Sequence, residues 1–140
     1  SEPKAVAPIN SVKRVIDYAV SEIPNNKILL GLPFYGYDWQ LPYEKNVTVG
    51  RSLSPEYALA LGREYSGTIT FDENSASPYM TYFNGISEHI VWFESPKSIT
   101  AKADIITQNS LAGAGIWSID RPFMQGYMTL NLLFDIRRIL

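Results

Sequence analysis

The sequence contains no cysteine, which excludes disulfide frameworks, thiol nucleophiles and thiolate metal sites. It has a single histidine, His89. A zinc site would therefore rest on one imidazole plus carboxylates, and neither a metal nor an organic cofactor is expected. No stretch approaches the ~20 apolar residues that cross a bilayer. The opening Ser1-Glu2-Pro3-Lys4 lacks the basic start and apolar run of a signal peptide. An excess of one charge is missing too: 12 Lys plus Arg stand against 14 Asp plus Glu, a formal net charge of −2. That balance gives no electrostatic case for nucleic acid or an anionic membrane as a partner. Composition assigns no compartment, because a chain without Cys suits an exported bacterial protein and a cytosolic one equally. What is present is a core. Of 140 residues, 46% are hydrophobic, enough for one domain burying ~70% of the surface its unfolded chain exposes.

The first periodic segment runs from Asn10 to about Glu22, with Val12, Val15, Ile16, Ala19, Val20 and Ile23 on one helical face. Asn10 or Ser11 can cap its start, and Pro24-Asn25-Asn26 stops it. The apolar run Lys27-Ile28-Leu29-Leu30-Gly31-Leu32 lacks alternation, as a strand buried on both faces would. Pro33 to Tyr43 then reads as an irregular loop with five aromatics and a proline near each end. In α/β folds, ligands bind at the C-terminal ends of such strands.

Residues 44–94 have a different texture. Ser54-Pro55-Glu56 opens a helix reaching about Tyr65, with a cap, a first-turn proline and an early acid. Thr68 to Asp72 alternates like a half-exposed strand. Tyr79 to Phe83 and Ile86 to Phe93 read as a hairpin, with Asn84-Gly85 supplying the positive φ angles of a tight turn. The α/β rhythm then resumes. Ser95-Pro96 or Ser98 starts a helix with Ile99, Ala103, Ile106 and Leu111 inward, and Gly113 ends it. A second buried strand covers Ala114 to Ile119, and a final helix runs from Met124 to Ile139. In that helix Tyr127, Leu130, Leu133, Phe134 and Ile139 are apolar, and Arg137 and Arg138 suit the dipole at its C-terminal end.

Two parallel strands are too few for a closed barrel or an open sheet, and their edges would be exposed. A (β/α)8 barrel needs ~250 residues. The expected fold class is therefore α/β: part of a TIM barrel carrying a small α+β insertion lobe. Its divisions are 1–43 (barrel helix, strand and loop), 44–94 (lobe) and 95–140 (barrel helix, strand and final helix).

Four stretches carry a resemblance. They are Ala5-Val6-Ala7-Pro8-Ile9-Asn10-Ser11-Val12, Lys27 through Trp39 with Leu32-Pro33-Phe34-Tyr35-Gly36-Tyr37, Val91-Trp92-Phe93-Glu94 with Ser98 and Lys102, and Gly113-Ala114-Gly115-Ile116-Trp117. In order and spacing they resemble the C-terminal part of glycoside hydrolase family 18 catalytic domains, most of all bacterial spore-cortex and cell-wall N-acetylglucosaminidases. The resemblance implies barrel strands seven and eight and hydrolysis of N-acetylglucosamine polymers, peptidoglycan or chitin. It further implies a substrate-assisted mechanism that retains configuration. The family's Asp-x-x-Asp-x-Asp-x-Glu run is absent, so no residue here matches the catalytic acid. The family's arginine after Tyr-Gly is replaced by Tyr37, and its sugar contact does not carry over.

The same resemblance makes Trp117 the floor of a sugar site, since sugar C–H faces stack on indole. Tyr35, Tyr37, Asp38, Trp39 and Glu94 are the other candidate substrate contacts. Each has a plainer reading. Trp117 can be core packing, the loop aromatics can cap the barrel mouth or pack the lobe, Asp38 can cap a turn, and Glu94 can be solvated or salt-bridged. Asp120-Arg121 reads as a helix start with a surface arginine, Asp72-Glu73 as a solvated strand end, and His89 as structural. Asn46-Val47-Thr48 matches the N-glycosylation pattern by chance in a bacterial-looking chain.

The implied partners are an N-acetylglucosamine-containing polysaccharide and either the missing N-terminal barrel half or a second copy. The implied location is the spore cortex, spore coat, cell wall or secreted space. The alternative function is a noncatalytic carbohydrate-binding or interaction module, with Trp39 and Trp117 as its platform. Saturable sugar binding by the chain alone favours that module, and no response favours a dependent piece.

Overall fold

The computed structural model of the chain describes residues 1–136 as a mixed α/β fold with two sheets. Helix α1 (Ile9–Glu22) and a short 3-10 turn (Asn25–Lys27) precede β1 (Leu29–Pro33). Then come β2 (Gly36–Gln40), β3 (Arg51–Leu53), α2 (Pro55–Glu64), β4 (Thr68–Asp72), β5 (Ser77–Phe83) and β6 (Glu88–Trp92). The chain continues through α3 (Pro96–Gln108), β7 (Gly113–Trp117) and α4 (Met124–Leu133). β1 and β7 form a parallel pair, from Leu29 opposite Gly113 to Pro33 opposite Trp117. The other five strands form an antiparallel sheet in the order β3-β2-β6-β5-β4.

The first core lies between the parallel pair and its helices. Leu30, Leu32 and Phe34 pack with Ile16 of α1, Ile99, Ile105 and Ile106 of α3, and Phe123 and Leu130 around α4. The expectation that β1 is buried on both faces is corrected: Leu30 and Leu32 are buried, but Leu29 is 64% exposed. An unbroken apolar run cannot tell a strand covered on one side from one covered on two. α1 also differs in detail. Its inner face is Ile9, Val12, Ile16, Ala19 and Val20, while Val15 and Ile23 point outward. Its N-cap is Pro8, with no side-chain cap, so neither Asn10 nor Ser11 fills that role.

The helix starts at Ser54 and Ser95 match expectation. The Ser54 hydroxyl accepts the Tyr57 N–H at 3.1 Å. Ser95 and Ser98 form a reciprocal capping box, each side chain accepting the other's N–H. α3, however, stops at Gln108, and Gly113 opens β7 with φ +151° rather than closing the helix. In α4, Leu130 is buried and Leu133 faces solvent. Arg137, Arg138 and Ile139, expected to complete it, lie outside the described residues.

The segment after β1, expected as an irregular loop, contains β2, which pairs with β6 and with the unanticipated β3. The flanking prolines concealed a strand whose aromatics, Tyr35, Tyr37 and Trp39, fall at every second position. Gly36 is required there, because a Cβ would collide with the Trp92 carbonyl and lie 2.8 Å from the Phe93 Cβ. The β5–β6 hairpin is as expected, but not its two-residue turn. Four residues, 84–87, join the strands. The Asn84 side-chain oxygen accepts the N–H groups of Ile86 and Ser87, both at 2.9 Å, and within the Asn-Gly pair only Gly85 takes positive φ, at +91°. The second core lies between this sheet and α2: Leu53, Ala58, Leu61, Met80, Tyr82, Val91 and Phe93.

The two halves join at two short crossings. Phe34 and Tyr35 alone separate β1 from β2, and three residues, 93–95, separate β6 from α3. Phe34 is held edge-on by Phe123 and Tyr127, with ring centroids 4.9 and 5.0 Å away. No helix among the described residues is long and apolar enough to cross a membrane.

Candidate functional site

The C-terminal ends of parallel strands gather polar loop residues over unsatisfied backbone groups, and this is where α/β folds hold ligands. Here the Phe34 N–H donates to the Trp117 carbonyl at 2.6 Å, so Tyr35 leaves β1 directly beside the end of β7. Trp117 is 71% exposed, so it does not pack in the core of the described residues. The peptide that follows it, Trp117–Ser118, is cis. Tyr35, Tyr37, Ser52, Trp117, Ser118, Asp120 and Arg121 line a cleft of about 190 Å³. Tyr35 and Tyr37 meet edge to face, 5.8 Å between centroids. Burial holds the Tyr35 phenol above its usual pKa, with Tyr37 and then Glu94 adding to the shift, so the group stays a neutral donor and acceptor.

Asp38 does not cap a turn. Its Oδ2 accepts the Tyr82 hydroxyl at 2.8 Å and its Oδ1 accepts Nδ1 of His89 at 2.9 Å. The His89 ring stacks on Tyr82 at 4.9 Å, and its Nε2 lies 3.1 Å from both Asn84 Nδ2 and Ser87 Oγ. Burial, followed by the bond to Asp38, pushes the Tyr82 phenol well above its ordinary range. Asp38 thus stands fixed between two cavities of about 570 Å³ each. One of these shares Ser52, Asp120 and Arg121 with the Trp117 cleft.

Trp39 and Glu94 are interior. Trp39 is 3% exposed, and its indole N–H donates to the Ser1 carbonyl at 3.1 Å. A Cβ at Gly50 would sit 2.6 Å from that ring, so the glycine makes room for it. Trp39 therefore forms no exposed platform with Trp117. Glu94 is 1% exposed and Lys102 0%. The Lys102 ammonium lies 2.9 Å from Oε2 of Glu94, and the Ser98 hydroxyl donates to the same oxygen at 2.5 Å. Oε1 has no partner. Burial raises the Glu94 carboxyl above its usual range, against the lowering effect of Lys102 and Ser98.

Trp117, Tyr35 and Tyr37 thus come together, Asp38 lies one cavity away, and Trp39 and Glu94 support from within. The sequence reading overlooked Arg51 and Ser52, although Val47-Thr-Val-Gly-Arg-Ser-Leu53 carries the apolar spacing of an edge strand. It read His89 as structural and did not single out Tyr82; the meeting of both with Asp38 depends on the β2–β6–β5 register. The cleft offers an open indole face, two phenols, one carboxylate and the Arg121 guanidinium. That carboxylate, Asp120, accepts the Ser118 hydroxyl, and nothing else in the cleft resembles a proton donor matched to a leaving group. Among the described residues, no three His, Asp or Glu side chains gather as a metal ion would require.

The family model of glycosyl hydrolases family 18 matches residues 3–121. The chain is similar to the cortical fragment-lytic enzyme of Bacillus subtilis (strain 168), with 37% identity covering 96% of this chain and 31% of that protein. It superposes on the crystal structure of the Bacillus megaterium QM B1551 spore cortex-lytic enzyme SleL with a TM-score of 0.94. Identity there is 37%, covering 100% of this chain and 33% of that one. The chitinase of Chromobacterium violaceum ATCC 12472 gives a TM-score of 0.84 at 28% identity, covering 97% of this chain and 42% of that one. The chain spans about a third of the length of the first two of these proteins.

Proposed function

The chain belongs to glycosyl hydrolase family 18, and from that premise we propose that it is the C-terminal portion of a (β/α)8 glycosidase acting on β-1,4-linked N-acetylglucosamine polymers of the peptidoglycan type. In this reading β1 and β7 are barrel strands seven and eight. Residues 1–43 and 95–140 belong to the barrel wall, and residues 44–94 to an inserted lobe. Two features support the assignment: among the described residues the parallel pair has both outer edges unpaired, and Leu29 faces outward beside Gly31. Both suit a strand pair whose inner face meets further strands.

One observation carries the functional reading: an indole 71% exposed at the C-terminal end of a parallel strand, with Tyr35 and Tyr37 in the same cleft. An exposed indole costs free energy in water and suits the C–H face of a sugar ring. Trp117 is the floor, and Tyr35 and Tyr37 are a wall donating to hydroxyl or acetamide oxygens. The acid that protonates the glycosidic oxygen comes from outside this chain, and the substrate's own acetamide is the nucleophile. Asp38 is a fixed acceptor beyond the cleft, while Trp39 and Glu94 hold the strands behind it. The working location is the spore cortex or cell wall, and the further partner is the N-terminal barrel half or a second copy of the chain.

Titration of chito-oligosaccharides against the chain, followed by indole N–H resonances, tests this. The expected result is a shift of Trp117 that saturates only at millimolar sugar and vanishes in Trp117→Ala, with no turnover of a chromogenic N-acetylglucosaminide. Binding undiminished in Trp117→Ala, or turnover abolished by replacing one of the chain's own acids, overturns it. Micromolar saturation favours the noncatalytic module.

A further inference from the structure

The Asp38–His89 pair extends to a third group that the Trp117 cleft does not use. His89 is the chain's only histidine, and both of its ring nitrogens have neighbours. Nδ1 lies 2.9 Å from Oδ1 of Asp38. Nε2 lies 3.1 Å from Oγ of Ser87 and 3.1 Å from Nδ2 of Asn84. The Asn84 amide has a fixed orientation, because its oxygen accepts the N–H groups of Ile86 and Ser87, both at 2.9 Å. The atom it turns towards His89 is therefore the NH2 group, which only donates. In the neutral ring this leaves Nε2 as the bare nitrogen and puts the hydrogen on Nδ1, where Asp38 accepts it. The Ser87 hydroxyl can then donate to the Nε2 lone pair. Asp38 is held in place by the Tyr82 hydroxyl at 2.8 Å, and the imidazole stacks on the Tyr82 ring.

We propose that Ser87, His89 and Asp38 form a second hydrolytic centre, one that cleaves carboxylic esters with a short apolar acyl group. Hydroxyl, imidazole and carboxylate in hydrogen-bonded series make an activated nucleophile, recognised by geometry and not by chain order. The series opens on a cavity of about 570 Å³ that shares no lining residue with the Trp117 cleft. Leu41, Val47, Val49 and Ile86 give that cavity an apolar wall for the acyl group. Ser87 Oγ attacks the ester carbonyl carbon while its proton passes to Nε2, and Asp38 steadies the imidazolium. Among the described residues the Asn84 NH2 group has no neighbour but Nε2, so its second hydrogen can meet the developing oxyanion. The C–O bond to the alcohol then breaks, and Nε2 returns the proton to the departing oxygen. Water attacks the acyl-serine, gives its proton to Nε2, and Ser87 Oγ leaves with that proton, releasing the carboxylic acid.

Three measurements on the chain test this. Proton–nitrogen NMR of the single imidazole should show Nδ1 protonated and Nε2 bare in the neutral ring; the opposite tautomer overturns the proposal. Hydrolysis of p-nitrophenyl butyrate should fall about a hundredfold in Ser87→Ala. It should fall by a similar factor in Asn84→Asp, which keeps the acceptor oxygen of the turn and removes the amide donor. Turnover undiminished in Ser87→Ala overturns the proposal, because the imidazole would then be acting alone. A fluorophosphonate should add once per chain, at Ser87 by peptide mass mapping, and His89→Gln should abolish the adduct. A folded wild-type chain that forms no Ser87 adduct overturns the proposal, whether or not His89→Gln folds. The chito-oligosaccharide shift of Trp117 should be unchanged in Ser87→Ala, so this centre and the sugar cleft stand or fall separately.

Discussion

Replacing Lys102 with Met keeps most of the side chain's length and removes its charge, leaving Glu94 in a site 1% exposed to solvent. Among the described residues Oε1 of that carboxylate already lacks a hydrogen-bond partner, and Oε2 would retain only the Ser98 hydroxyl. Breaking a buried pair in this way costs about 3–5 kcal/mol, because the remaining charge is uncompensated. Against a total stability of ~5–15 kcal/mol, the midpoint of thermal unfolding should fall by about 10 °C or more. The loss should depend on pH with a definite sign. Burial already raises the Glu94 carboxyl, and Lys102 is the largest influence holding it down, so the variant's folded-state pKa rises further. A carboxyl whose folded pKa exceeds its unfolded value contributes stability below the unfolded pKa and loses it as pH climbs through the folded one. The deficit should therefore be smallest near the ordinary carboxylate pKa and grow towards neutral pH and above. Urea unfolding followed by tryptophan emission at pH 5 and pH 8 measures both values. The double variant Glu94→Gln, Lys102→Met should recover most of the loss and flatten the pH dependence. A Lys102→Met cost below about 1 kcal/mol, or the same cost at both pH values, refutes the reasoning.

Three further outcomes can be checked by thermal or urea denaturation. Trp117→Ala should change stability by no more than about 0.5 kcal/mol, since its ring is largely in water, whereas Trp39→Ala should cost about 3–5 kcal/mol. Leu30→Ala should cost about 2–5 kcal/mol and the neighbouring Leu29→Ser almost nothing, a contrast that tests the one-sided burial of β1. Gly50→Ala should cost about 1–3 kcal/mol and alter the Trp39 emission, because the new methyl lies 2.6 Å from the indole.

Local chemistry made some parts of this fold legible in the sequence. Ser54-Pro55 and Ser95-Pro96 announce helix starts because a hydroxyl acceptor and a preset φ act within one turn. Residues 79–83 and 86–93 announce paired strands by composition. Legibility ended where pairing is long-range. β2 was hidden because its partners β3 and β6 lie on distant stretches, and the prolines around it have a simpler local meaning. Asp38 and His89 are 51 residues apart, and only the β2–β6 register brings them together. The candidate site divides in the same way. Trp117 and Tyr35 were placed together by the family resemblance, at the ends of two apolar strands where ligands gather. Arg51, Ser52 and Tyr82 had no comparable cue.

The two crossings between the halves of the molecule constrain how it can move. At one, Phe34 is wedged between Phe123 and Tyr127; at the other, Glu94 is tied to Lys102. Neither offers the slack that a swinging domain needs, so the antiparallel sheet and the parallel pair should tilt as one plate.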